Sequence, residues 1–389
     1  MIIKQSHYED NLASYACKSI LSYGKEHDET ESKSRNIYQR DRDRIVHSTA
    51  FRRLEYKTQV FVNHEGDYYR TRLTHSIEVA QIARSICRAM CLHEDLAEAV
   101  ALAHDLGHTP FGHSGQDALN DVMKPYGGFE HNRQSLRIVE KLEDKYFQFA
   151  GLNLSYETRE GIVKHKSPHD LPKNDDLNQY RLAEQATLEA QIANLADEIA
   201  YNNHDIDDGF RAGMLKLSDL KRTQLFGMHF DEVNSLYMDL DERHAVSETI
   251  RRMIDHMIND VIEASCKRIE NRNILTLADV RNSPKPLIAF SRPLRHMNGE
   301  LKKYLYRNMY HHYRVVRMAS KAERVIKDIF LAYFERPEML PDGPRERVEA
   351  QSKGMPDKKA RVIADYIASM TDRFALDEYE RLFSVHAKT

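Results

Sequence analysis

The chain has 389 residues, 41% of them hydrophobic, enough for a sizeable core and enough to exclude disorder for its body. Its 57 basic and 60 acidic side chains leave a formal net charge of −3, so the overall field names no polyanionic partner and any phosphate site must come from local placement. No apolar run is long enough to span a bilayer, and the opening MIIKQSHYED lacks the apolar centre of a secretory signal, so the cytoplasm is the expected compartment.

Glycine (15) and proline (11) are scarce, which leaves long stretches free to stay helical and predicts an all-α fold. The polar stretch 26–35 reads as an exposed loop. Leu73, Ile77, Val79, Ile82, Ala83 and Ile86 recur at three- and four-residue steps, the mark of an amphipathic helix. Residues 95–106 repeat the pattern with more apolar side chains and stop at Gly107 and Pro110, as a buried helix ending in a turn would. Helices are expected again over 187–208, 243–269 and 299–334. Residues 336–359, rich in proline, glycine and charge, read as a loop before a last helix of about 25 residues. No internal repeat and no clear boundary appears, so 1–389 is read as one helical domain. The four cysteines are too few and scattered for a disulfide framework, and Cys87 and Cys91 read as small core side chains.

Twenty histidines is an unusual number, and several crowd one short stretch. His75, His104, Asp105 and Asp197 together form a mixed nitrogen and oxygen donor set that suits one Mn²⁺, Mg²⁺, Fe²⁺, Co²⁺ or Ni²⁺ ion rather than a thiolate-type zinc site. Adjacent helical residues diverge by about 100°, but His104 and Asp105 lie at a helix end, where both can turn to one ion. Asp197 sits in an otherwise Ala- and Leu-rich helix, where an ionised carboxylate needs a strong partner. The bland alternative pairs Asp197 with an arginine and hydrogen-bonds the histidines within the core. Against it stands LGHTPFGH, directly after Asp105: histidines around a tight turn are costly in a core and useful around a polyphosphate.

The ordered blocks RDRDRI (40–45), HSTAFRRL (47–54), KTQVF (57–61), RLTHSIEV (72–79), HDLGHTPFGH (104–113), EHN (130–132) and ADEIAY (196–201) resemble the deoxyguanosine triphosphate triphosphohydrolase-like group of the HD superfamily. That group is related to the mammalian SAM-and-HD-domain dNTP hydrolase. The blocks span about 40–210, and the likeness thins through the helical part at 211–389. The resemblance implies an HD-domain helical fold with additional C-terminal helices, one divalent metal per site, and cleavage of a dNTP to deoxynucleoside and triphosphate. Block by block it implies His75, His104, Asp105 and Asp197 as metal ligands and His113 as proton donor to the leaving 5′ oxygen. It implies His108 and His131 beside the phosphates, Arg72 and Lys164 as phosphate-binding cations, and Gln59 near the sugar. Tyr201 and Asp205 follow Asp197 at four-residue steps on one helix face, within about 80°. The resemblance makes Tyr201 a steric gate against a 2′-hydroxyl and Asp205 the partner of the 3′-hydroxyl. It also implies a homo-oligomer, tetramer or hexamer, with an activating dNTP between subunits.

One position departs from the group. Several relatives place a carboxylate three residues after the His113 position, where this chain has Gln116; an amide can orient an imidazole but does not stabilise its protonated form as a carboxylate does. Two rival readings stay open: hydrolysis of another phosphoester, and a nucleotide sensor or nucleic-acid-binding regulator with low turnover. The latter rests on 302–327, where Lys302, Lys303, Arg307, Arg314, Arg317, Lys321, Arg324 and Lys327 interleave with Tyr304, Tyr306, Tyr310 and Tyr313.

Overall fold

The computed structural model describes residues 6–59, 70–165, 175–237 and 239–386; Val60 and Phe61 of the third motif block lie outside them. The described residues form helices and no strand, with isolated bridges only at Thr58–Thr71 and Tyr146–Phe149. The fold is therefore all-α.

Three packed helices carry the centre: Arg72–Ala89, Glu94–Ala103 and Leu188–Arg211. The first starts at a capping box, in which Thr71 and Thr74 each bond the other's backbone N–H, and buries Val79, Ile82, Ala83 and Ile86 on one stripe. The second is buried on nearly every side. Its run of alanines lets neighbouring backbones approach, and Gly161 of the Tyr156–Val163 helix has room for no more than a hydrogen, because an added Cβ would meet Val100 at 2.6 Å. The third is capped by Thr187, whose side chain accepts from Ala190 N, and runs three residues past the expected end. The RDRDRI block proves architectural: Arg44 donates to Leu152 O (2.7 Å), Asp41 accepts from Ser155 N (2.8 Å), and Arg42 pairs with Asp95 (3.1 Å) and Glu98 (3.2 Å). Stretch 26–35 is non-helical as expected, although Glu29 folds in against Arg44 and Lys25.

A second apolar cluster joins the Gly112–Met123 helix to the C-terminal part of the chain, with Phe111, Leu119, Met123 and Phe129 against Ile326, Ile329, Phe330, Ile363 and Ile367.

Three expectations need correction here. The single helix over 299–334 is two, Arg292–Leu305 and Tyr313–Glu335, joined by a π-helical turn Tyr306–Tyr310. The apolar period runs through this stretch, so periodicity alone hides the break; His312 starts the new helix by accepting from Arg314 N, and Tyr310 is drawn inward to Asp205. The last helix is likewise two, Pro356–Ala368 and Asp372–Phe383, and the presumed loop before it holds the helix Asp342–Ser352. Left-handed Lys353 (φ 43°) and Gly354 (φ 78°) end one helix, and the Thr371 cap on Phe374 N restarts the chain so that Asp372 turns into the interior.

Candidate metal centre and its histidine turn

The Glu94–Ala103 helix delivers His104 and Asp105 at its C-terminal end, the Arg72–Ala89 helix delivers His75 from its first turn, and the Leu188–Arg211 helix delivers Asp197. His75, His104 and Asp105 each offer a donor atom, all within 4.8 Å of one another. Asp197 Oδ1 lies 2.9 Å from His75 Nε2 and 3.8 Å from His104 Nε2, and Asp105 Oδ1 lies 3.3 Å from His104 Nε2. Ligands about 2.1 Å from one ion stand about 3 Å apart when adjacent and about 4.2 Å apart when opposite, so these separations suit a shared cation.

Tautomers point the same way. His104 Nδ1 lies 2.6 Å from Ala101 O, and a carbonyl only accepts, so the ring proton is on Nδ1. That leaves the buried Nε2 a bare lone pair with no hydrogen-bond partner among the described residues. His75 Nδ1 stands 3.1 Å from His204 Nε2, and His204 Nδ1 stands 3.1 Å from Asp205 Oδ1. With His204 Nε2 accepting a hydrogen bond from His75 Nδ1, His75 Nε2 is left to face the cluster. These donors fit a divalent cation.

Charges are set by neighbours. Burial opposes ionisation of Asp105, but Arg72, His104 and His108 hold its carboxyl well below the usual range; Arg72 donates to its Oδ2 at 2.9 Å. Burial likewise opposes the charge of Asp197, which His165 and His75 nonetheless keep far below the ordinary value. His75 is raised, since Asp197 and Asp105 outweigh its burial. Burial, then Arg72 and His131, push His108 well down, so its ring is neutral near pH 7.

The turn after Asp105 gathers the other histidines. His108 stacks on His131 with ring centroids 4.2 Å apart, and His113 stands edge-on to His108 at 5.4 Å and 6.4 Å from His131. Two glycines permit this. A Cβ at Gly107 would fall 2.2 Å from both His131 O and Ser135 N, and one at Gly115 would fall 1.9 Å from Pro110 O. Ser135 Oγ closes the helix end by donating to His104 O (3.0 Å) and accepting from Gly107 N (2.8 Å). Phe111 (φ 62°) and Gly112 (φ 60°) turn left-handed, and Asp372 from the C-terminal part takes Phe111 N at 2.9 Å and Thr58 N at 2.8 Å. Lys57 donates to His108 O and to Ala368 O, and burial lowers its pKa to about 7.

The remaining predicted residues fall unevenly. Tyr201 stacks on Tyr310 (6.2 Å, 5°), and the Tyr310 hydroxyl donates to Asp205, which is fully buried. Gln59 is buried beside Gly112, and Gln116 is buried with its amide oxygen unpartnered among the described residues. Lys164 turns to Glu160 (2.7 Å) and Glu184 O (3.1 Å) instead of the cluster, sharing Glu160 with Arg281. Its neighbour His165 does reach the cluster, 3.4 Å from Asp197 Oδ2. His165, His204 and Asp372 escaped the reading of the sequence, where Lys57 stood only as part of a motif block and Tyr310 only among the aromatics of 302–327. His204 had a signal there: it follows Asp197 by two helical turns, one residue before Asp205.

Comparison with known proteins agrees with this geometry. An HD domain model matches residues 72–202, and a phosphohydrolase-associated domain model matches 288–381. The chain is 54% identical over 380 residues to a deoxyguanosinetriphosphate triphosphohydrolase-like protein of Ralstonia pickettii, covering 97% of this chain and 96% of that one. It is 51% identical over 378 residues to the protein of that description in Thiobacillus denitrificans (97% and 98% covered), and 50% identical over 376 residues to the one in Nitrosomonas europaea (96% and 98%). With half or more of its residues shared along nearly its whole length, and an HD domain match over 72–202, the chain belongs to the deoxyguanosinetriphosphate triphosphohydrolase-like family of HD-domain phosphohydrolases.

Proposed function

We propose that the protein hydrolyses deoxynucleoside triphosphates, in a metal-dependent reaction, to deoxynucleoside and inorganic triphosphate. The observation that carries this reading is a set of buried polar atoms left without partners among the described residues and drawn from the same motif blocks: His104 Nε2, Arg72 Nε and Gln59 Oε1. Such atoms are costly unless a polar ligand meets them.

His75, His104, Asp105 and Asp197 would hold a divalent ion, which would supply Lewis acidity toward the phosphate and lower the pKa of a bound water. The protein's own groups do the rest. Water attack on the α-phosphorus forms inorganic triphosphate and breaks the bond to the 5′ oxygen, to which His113 delivers a proton as the deoxynucleoside leaves, the water's proton going to solvent. His108, neutral and stacked on His131, and Arg72, locked by Asp105, line the phosphate side. Gln59 lies toward the sugar; Tyr201 excludes a 2′-hydroxyl, while Asp205 receives the 3′-hydroxyl alongside Tyr310.

The test is an assay of purified protein with each dNTP, singly and mixed, with Mn²⁺ or Mg²⁺, separating triphosphate from pyrophosphate and orthophosphate. Triphosphate with free deoxynucleoside is the expected product. Orthophosphate or pyrophosphate would replace this reading with another phosphoester chemistry, and a requirement for mixed dNTPs would reveal activation.

A further inference from the structure

Asp197 presents its two carboxylate oxygens to different neighbours. Oδ1 lies 2.9 Å from His75 Nε2 and 3.8 Å from His104 Nε2, and Oδ2 lies 3.4 Å from His165 Nε2. The Asp197 side chain is 27% exposed, so packing alone does not fix the rotation of its carboxylate, whereas that of His165 is 3% exposed and closely held. His165 arrives at the end of the Tyr156–Val163 helix, where its N–H turns back to Ile162 O (3.3 Å) while Lys164 leaves for Glu160. Asn132 Nδ2 donates to the His165 carbonyl at 3.1 Å, and Asn132 belongs to the helix that begins with His131. The His165 ring lies beside that of His104, with centroids 5.1 Å and planes 39° apart. A carboxylate only accepts, so a His165 proton that meets Oδ2 is on Nε2; His104 is the reverse, with its proton on Nδ1 and its Nε2 bare.

We infer that His165 is a positioning residue of the metal centre: its Nε2–H holds Asp197 Oδ2, so that Oδ1 is the oxygen turned to the ion. The inference rests on Asp197 being a metal ligand, and adds which of its oxygens ligates and what aims it. Without this contact the carboxylate is free to rotate, which brings both oxygens to the ion or carries both away. Because Asn132 holds His165 from the His131 helix, the same contact ties the ligand set to the histidines of the phosphate side.

The test titrates Mn²⁺ into the full-length protein by calorimetry and records the visible absorption of the Co²⁺-loaded protein, whose bands follow ligand geometry. H165L and H165A remove the N–H, and H165Q keeps one at the end of its amide. Mn²⁺ affinity is expected to fall about 10- to 100-fold in H165L and H165A, with shifted Co²⁺ bands, and both readings should return toward the parent in H165Q. Circular dichroism confirms that the variants are folded, and H165A carries the comparison if H165L is not. Affinity and bands unchanged in H165L and H165A overturn the inference. So does a loss in H165Q as large as in H165A, which would make His165 a nitrogen ligand or a packing residue. Both readings are taken without turnover, so their failure in a parent that binds Mn²⁺ is distinct from failure of the dNTP hydrolysis assay.

Discussion

His204 Nε2 and His75 Nδ1 lie 3.1 Å apart, which braces a candidate metal ligand with a second buried imidazole. A ligand so oriented loses basicity and alignment when its support goes. His204→Gln is expected to weaken Mn²⁺ binding by about 10- to 100-fold while leaving His75 in place. Direct titration of the metal checks this, and unchanged affinity would remove the brace.

Asp105, a candidate metal ligand, is the residue on which Arg72, His104 and His108 converge. Asp105→Ala should abolish both bound metal and turnover. Arg72→Gln leaves a buried carboxylate uncompensated and should lower stability by about 3–5 kcal/mol in the metal-free protein. Metal analysis after dialysis and urea unfolding measure the two effects; normal hydrolysis by Asp105→Ala would defeat the proposed function.

Gly107 has no space for a methyl group, since the atoms in its way are backbone. Gly107→Ala must push the His131–Arg137 helix outward, at a cost of about 1–3 kcal/mol. The same shift separates His131 from His108, so a fall in kcat beyond what reduced folding explains is expected from activity per folded molecule.

Glu130 supplies the pH dependence. Burial works against its charge, but His131 and the N–H groups of Asn132 and Arg133 hold its carboxyl below the ordinary value of 4.5. Its folded-state pKa lies below the unfolded one, so its contribution is full above pH 4.5 and fades as pH falls through the folded value. Glu130→Gln is therefore expected to cost about 1–2 kcal/mol at pH 7, the scale of a helix cap, with the gap from the parent closing toward pH 3. Urea midpoints across that range decide it; a gap that is flat with pH would show that the carboxylate's charge is not what holds the helix.

Asp372 reaches back across the chain to Thr58 and Phe111. Asp372→Ala strands buried backbone donors and should destabilise by about 2–4 kcal/mol. If the C-terminal part positions the histidine turn, kcat falls while metal affinity is kept. Loss of metal affinity as well would mean that the whole centre, and not the turn alone, depends on this carboxylate.

The centre itself was legible in the chain because each ligand sits in a local context that says something alone: His104 and Asp105 at a helix end marked by Gly107, and Asp197 as a carboxylate within an apolar stripe. The three central helices were legible for the same reason, since burial of one face writes a 3.6-residue period. Tyr310 and Asp372 were not legible. Their partners lie 105 and 261 or more residues away, and the helix breaks that aim them interrupt no apolar period.

By itself, then, the amino-acid order determined an all-helical chain carrying a candidate nitrogen and oxygen donor set, because helix ends, caps and apolar stripes are local physics. Only the tertiary structure decided which nitrogen of each imidazole faces the donor cluster, that Lys164 turns to Glu160 while His165 meets Asp197, and that the C-terminal helices clamp the histidine turn. Those outcomes depend on which buried donor finds which acceptor across the fold, and no short stretch of sequence contains both halves of such a pair.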